Sequence, residues 1–175
     1  MKSAFLVIDA QPVWATNCVW TLKAIEKAAE TARQKGTPVI WAYMNFLPAD
    51  LEPVRFGDLK LSHAFKLANE QCDVSCLPAI QPHDKDWILS KGKPDVFTNP
   101  ANAIFLRKQG IARPDMAGFR TSECFHASAL GGIREGFHPR VSPDITADRN
   151  DRFANTLDFL FGKTEVEIGT PIFYS

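Results

Sequence analysis

The stretch Ala4-Phe5-Leu6-Val7-Ile8-Asp9 constrains the fold more than any other part of the chain. A continuous apolar run without polar alternation is the pattern of a strand buried on both faces, and this one delivers a carboxylate at its C-terminal edge. An amphipathic helix follows: from Thr21 to Lys35 the residues Leu22, Ile25, Ala28, Ala29 and Ala32 recur at helical spacing, and Gly36 stops it. Pro38 to Tyr43 then makes a second buried strand. Strand, helix and strand in so short a span require a crossover connection, and hence a parallel sheet.

The alternation continues. Trp87 to Lys91 is a third strand, ending in a lysine as the first ended in an aspartate, and Ala101 to Gln109 is a short helix stopped by Gly110. Ile111 to Phe119 is the fourth strand by position, although Arg113-Pro114-Asp115 is poor strand sequence. Thr121 to Glu135 reads as a helix with Thr121 as N-cap and Gly136 at its end, and Pro139 to Ser142 as a weak fifth strand. A last helix spans Asn150 to Phe161, and a last edge strand Glu165 to Ile168. Between Asn45 and Gln81, Pro48, Pro53, Gly57 and Pro78 break any period, so this segment is an excursion of loops and short helices that could form a lid or an interface. The whole predicts one α/β domain over residues 1–175: an open, mostly parallel, doubly wound (Rossmann-like) sheet with helices on both faces.

Composition excludes several function classes. With 20 Lys and Arg against 20 Asp and Glu, no net field holds nucleic acid or an anionic membrane surface. The apolar run at the start is too short for a signal peptide and nothing later approaches a membrane span, so the expected location is cytoplasmic. Cys18, Cys72, Cys76 and Cys124 then read as free thiols in a reducing compartment.

Ligands of open α/β sheets bind outside the carboxyl ends of the strands. Asp9, Lys91 and Cys124 stand at three such ends. In the first turn of a helix, backbone N–H groups and the dipole favour a thiolate, and a lysine would favour it further. Asp9 is placed to take the thiol proton and return it to a leaving group. Taken singly, each residue has a plainer reading as a cap, a solvated lysine or a small core residue. Their convergence is what carries the chemical reading.

Three motifs are recognisable. Gly118-Phe119-Arg120-Thr121-Ser122-Glu123-Cys124-Phe125-His126-Ala127-Ser128 resembles the G-hydrophobic-x-T-x-x-C-V-x-x-T signature of the isochorismatase-like cysteine hydrolases. Val7-Ile8-Asp9-Ala10-Gln11-Pro12-Val13-Trp14 is similar to that family's V-I-D-x-Q-x-x-F, and Lys91-Gly92-Lys93-Pro94-Asp95-Val96-Phe97 to its K-x-x-x-S-A-F. The resemblance runs in order from Phe5 to about Ile168. It implies an Asp9-Lys91-Cys124 triad: Asp9 as base, Lys91 positioning substrate and stabilising the thiolate, Cys124 as the nucleophile of an acyl-enzyme that hydrolyses an amide or carbamoyl C–N bond. It also implies a cis Phe119–Arg120 peptide that turns the N–H groups of Arg120 and Cys124 toward an oxyanion, with Trp14 and Phe97 lining the pocket. Gln11, Phe119 and Thr121 join them as candidate oxyanion or substrate-binding positions, and a homo-oligomer of two or more copies is the implied assembly. The partner is a small-molecule substrate, without a cofactor. Asp95-Val96, Phe125 and Pro114-Asp115 depart from the family pattern and bear on substrate identity more than on chemistry.

Nicotinamidase-type members of the family carry a metal-binding D-x-H, and Ala42 to Lys60 contains no histidine, so no catalytic metal of that kind is expected. His63, Cys72, Cys76 and His83 make only a loose zinc pattern. His126 lies about 200° around a helix from Cys124, which places it toward solvent or a partner subunit. Arg120 has two readings, a bidentate clamp on a substrate carboxylate or an ion pair with Glu123 or Asp144. Gly131-Gly132 marks close helix packing. Two other functions stay open beside the C–N hydrolase: a catalytically silent binding or regulatory protein of the same fold, and an ether or ester hydrolase.

Overall fold

In the computed structural model, residues 1–59, 77–149 and 156–174 are described. Their strands are β1 (Lys2–Ile8), β2 (Val39–Met44), β3 (Val54–Arg55), β4 (Trp87–Lys91), β5 (Ile111–Phe119), β6 (Arg140–Ala147) and β7 (Glu167–Ile168). Helices α1 (Val19–Gln34), α2 (Pro100–Lys108), α3 (His126–Arg134) and α4 (Thr156–Phe161) lie between them. The sheet order is β3-β4-β2-β1-β5-β6-β7, parallel throughout except for the β3–β4 pair. The expected doubly wound sheet is therefore present. No described helix is long and apolar enough to cross a membrane.

Ala4 to Ile8 of β1 and the whole of β2 are apolar because both faces are covered. Phe5, Val7, Trp41, Tyr43, Ala117 and Phe119 point into one core. Leu6, Ile8, Ile40, Ala42, Leu89 and Met116 point into the other. Period-two alternation thus survives as a choice between two apolar layers, each fully buried large side chain contributing about 1.5–3 kcal/mol. Helix α1 buries Ile25, Ala28, Ala29 and Ala32, as its spacing predicts, and Gly36 ends it at φ 71°. Helix α2 is started by Asn99, whose side chain accepts from the Ala101 N–H, with Pro100 in the first turn. At the opposite end of the sheet from the strand-end carboxylate, buried Asp86 accepts from Trp41 Nε1 at 2.8 Å and Arg33 Nη2 at 2.6 Å, tying α1 to β2.

The fourth strand runs over Ile111–Phe119 as expected, while other local expectations are corrected. Pro114 lies inside β5, tolerated because pairing with β6 begins only at Asp115 and a bulge falls opposite Lys2–Ser3. The weak fifth strand is longer than expected: β6 continues past Pro143-Asp144 to Ala147, with a register shift that absorbs the pair. Strand β3 was not foreseen. Thr121 is not an N-cap. Residues Thr121–Phe125 form a wide turn in which Glu123 leaves helical geometry (φ −120°, ψ −108°), and the regular helix begins at His126. Residues 150–155 of the expected last helix, and 60–76 of the excursion, fall outside the described residues. That excludes His63, Cys72 and Cys76 of the zinc pattern.

Candidate active site

β1 is central in the sheet, with β2 on one side and β5 on the other, so the chain reverses its winding direction there. This switch point opens a crevice at the strand C-termini. Asp9 follows β1 directly, in the left-handed region at φ 51°. Its Oδ1 accepts from the Met44 N–H at 2.9 Å. That same N–H also reaches Gln11 Oε1 at 2.9 Å, while Gln11 Nε2 donates to Met44 O at 3.0 Å. Gln11 is therefore a fully buried brace that locks the loop after β1 onto the end of β2, rather than a side chain open to a ligand.

Lys91 ends β4 two strands away, in register with Met44. Its side chain crosses to Asp9, where Nζ donates to Oδ2 at 2.6 Å with both side chains 0% exposed. The Cys124 thiol, 5% exposed, interacts electrostatically with the same carboxylate and lysine. Three residues drawn from the ends of β1, β4 and β5 thus meet in one buried cluster, as the strand-end argument expects.

The electrostatics differ from expectation. Burial raises Asp9 above the ordinary carboxylate range, with Lys91 opposing the rise. Burial, then the Asp9 charge, push the Cys124 thiol up to about 12, against the pull of Lys91. The anticipated pre-formed thiolate is not what this geometry holds. Desolvation outweighs both the turn's N–H groups and the pull of Lys91, so this burial favours the protonated thiol.

The wide turn that carries Cys124 is held from a distance. Ser122 N–H and Oγ both donate to Asp148 Oδ1, at 3.1 and 2.8 Å. Thr121, fully buried, pairs its hydroxyl with that of Thr146 at 3.0 Å, and Thr146 donates on to Gly118 O at 2.9 Å. Thr121 thus fastens the turn to β6. Asp148 does the capping that sequence reasoning gave to Thr121, and a cap lying 26 residues downstream of Ser122 leaves no local signal. The Phe119–Arg120 peptide is cis. Gly118 (φ 120°) lies so close to β1 that a Cβ would stand 1.9 Å from Ile8 O.

The aromatic positions divide. Phe119 points into the core layer opposite the one that holds Cys124, so only its backbone reaches the site. Phe97 shares the Cys124 layer, stacked on Phe137 at 5.4 Å. Trp14 is partly buried against both layers, and the Arg120 guanidinium lies over its ring at 5.3 Å. Arg120 Nη1 donates to Glu123 Oε1 at 3.1 Å, the ion-pair reading realised with Glu123 rather than Asp144. His126 does not face solvent alone: its ring meets Phe161 edge-on at 5.2 Å.

Departures from the motif also find structural reasons. Asp95 accepts from the Phe97 N–H and pairs with Arg134 at 2.6 Å, and Ser128 bridges the Val96 N–H and Pro94 O, each at 3.1 Å. A Cβ on Gly131 would lie 2.2 Å from Asp95 Oδ1, which confirms close packing of α3 against the loop after β4.

The isochorismatase domain model matches residues 3–159. Maleamate amidohydrolase of Pseudomonas putida is 27% identical over 85% of this chain and 74% of its own length. Ureidoacrylate amidohydrolase of Methylobacterium radiotolerans is 26% identical over 71% of this chain and 52% of its own. Among solved structures, N-carbamoylsarcosine amidase from Thermoplasma acidophilum superposes with TM-score 0.74 at 19% identity, covering 96% of this chain and 95% of that one. With the domain model spanning nearly its whole length, the chain belongs to the isochorismatase family.

Proposed function

We propose that this protein is a cysteine hydrolase cleaving an amide or carbamoyl C–N bond of a small molecule. The observation that carries the reading is the buried contact of one thiol, one carboxylate and one ammonium at the sheet's switch point. The names of the amidohydrolase relatives support the bond class.

In this reading Asp9 takes the Cys124 proton as sulfur attacks the substrate carbonyl carbon. The S–C bond forms as the carbonyl π pair moves onto oxygen, and the N–H groups of Arg120 and Cys124 receive that oxyanion. Collapse breaks the C–N bond, and Asp9 hands its proton to the departing nitrogen. Water, deprotonated by Asp9, then releases the acid from the thioester and restores the thiol. Lys91 holds the carboxylate ionised and oriented through Oδ2. Trp14 and Phe97 supply apolar wall. A cytoplasmic location and a self-associated assembly complete the proposal.

Cys124→Ala is expected to abolish ammonia release from every amide the wild type turns over, with the fold intact by circular dichroism. Asp9→Asn is expected to lower the rate by at least about 100-fold, the general-base contribution. Retention of most activity by either variant would remove the triad assignment.

A further inference from the structure

Among the described residues, no strand lies beside the outer edge of β4 beyond Ile88, because β3 pairs only with Trp87 and Ile88. Lys91 stands at the end of that uncovered stretch. On the inner side its own carbonyl accepts from the Asn45 N–H at 3.0 Å. The preceding carbonyl, Ser90 O, is held instead by a side chain: Asn102 of α2 donates Nδ2 to it at 2.9 Å. The same nitrogen donates to Val96 O at 2.8 Å, so one amide closes the loop after Lys91 at both ends. Ser128 Oγ accepts from the Val96 N–H and fixes the far end.

Asn102 is wholly buried, and its Oδ1 has no hydrogen-bond partner. A buried orphan acceptor is costly, and an apolar side chain of similar volume would avoid it. Its α2 neighbours Ala103 and Leu106 lie in an apolar layer, so burial alone asks for a hydrocarbon here. Donating to the two carbonyls that flank the Lys91 loop is what the amide offers and a hydrocarbon cannot.

We propose that Asn102 is a positioning residue for Lys91: it stands in for the missing strand, fixes the peptide from which the lysine springs, and so holds Nζ on Asp9 Oδ2 at 2.6 Å. Its consequence for catalysis rests on the cysteine-hydrolase reading; its hold on the Lys91–Asp9 pair does not.

Urea unfolding reads that hold without turnover. Asn102→Leu removes both donated bonds at similar volume, whereas Leu106→Ala loosens the same helix and leaves them in place. Displacing Lys91 raises the folded-state value of Asp9, whose facing groups are Lys91, Cys124 and the Met44 N–H. The folded variant then holds more protons than wild type, and its stability relative to wild type falls as pH rises. The unfolding constant of Asn102→Leu relative to wild type is expected to grow at least about threefold from pH 5 to pH 7, and that of Leu106→Ala to stay constant. Lys91→Met should raise the unfolding constant at pH 7 by at least about fivefold less in the Asn102→Leu background than in wild type. Asn102→Ala, which leaves room for water at Ser90 O, serves the same comparisons where the leucine variant does not fold. A pH-independent deficit, or additivity with Lys91→Met, would overturn the proposal. Turnover separates the two readings. On an amide that wild type hydrolyses, Asn102→Leu should lower kcat at least about 10-fold with KM nearly unchanged, and Leu106→Ala should keep the wild-type kcat. Wild-type kcat in Asn102→Leu defeats the positioning role alone, whereas coupling to Lys91 with no amide hydrolysed by wild type defeats the hydrolase alone.

Discussion

Replacing Lys91 by methionine isolates the energetics on which the site depends. At 2.6 Å, with both groups wholly buried, the Lys91–Asp9 attraction is about 6 kcal/mol at an effective dielectric constant near 20. The variant does not lose all of this, because Asp9 escapes its unpaired charge by taking up a proton. Carrying a carboxyl of ordinary value 3.8 in neutral form costs about 4 kcal/mol at pH 7 and about 1.6 kcal/mol at pH 5, which caps the loss at each pH. The sign follows from proton binding: removal of Lys91 raises the folded-state value of Asp9 further, so the folded variant holds more protons than the unfolded chain above pH 4. Its stability relative to wild type therefore falls as pH rises, by up to about 1.4 kcal/mol per pH unit. Urea unfolding at pH 5, 6 and 7 reads this directly. Asp9→Asn combined with Lys91→Met removes the stranded charge and should restore most of the loss, since buried pairs contribute little relative to neutral replacements. A deficit under about 1 kcal/mol at pH 7, or one that does not change with pH, would refute the buried-pair argument.

Two further perturbations probe the frame. Gly118→Ala forces a Cβ into the Ile8 carbonyl at φ 120°, and is expected to destabilise by more than about 3 kcal/mol and to displace Asp9 from the Cys124 turn, seen as joint loss of thermal stability and activity. Asp115 is raised from 3.8 to about 6 by burial, so wild-type stability should carry a component that falls as pH rises from about 4 to about 6; Asp115→Asn should lack it in unfolding curves taken across that window.

The fold was legible where one signal dominated. β1, β4 and the helix spacing of α1 could be read because continuous apolar runs and a single buried stripe leave few alternatives. What escaped was decided by tertiary accommodation. The fifth strand was read only to Ser142, yet Ile145-Thr146-Ala147 resumes the run, and the bulge in the β5–β6 register carries Pro143-Asp144 outward. At Arg113-Pro114-Asp115 the same kind of irregularity passed inside a strand whose position was already fixed by its neighbours. The cap of the Cys124 turn was illegible because Asp148 reaches it across the sheet end, and the Met44 N–H that orients Asp9 is backbone, which no residue pattern announces.

The identities of Asp9, Lys91 and Cys124 were readable from strand ends and motifs; their protonation was not. Sequence position put Cys124 in a helical first turn, where dipole and lysine favour the thiolate, but 5% exposure reverses the outcome. A buried thiolate beside a buried carboxylate would hold two negative charges against one ammonium. Keeping the proton on sulfur leaves the cluster neutral. In the proposed cycle, moving it to Asp9 during attack would keep the cluster neutral again, with the negative charge passing through sulfur to the substrate oxygen while Lys91 remains the single positive charge. In that cycle the lysine would serve less to generate a free thiolate than to hold the one positive charge that balances whichever of carboxylate, sulfur or substrate oxygen is negative. On that proposal, deprotonation of Cys124 would be coupled to substrate arrival rather than completed before it.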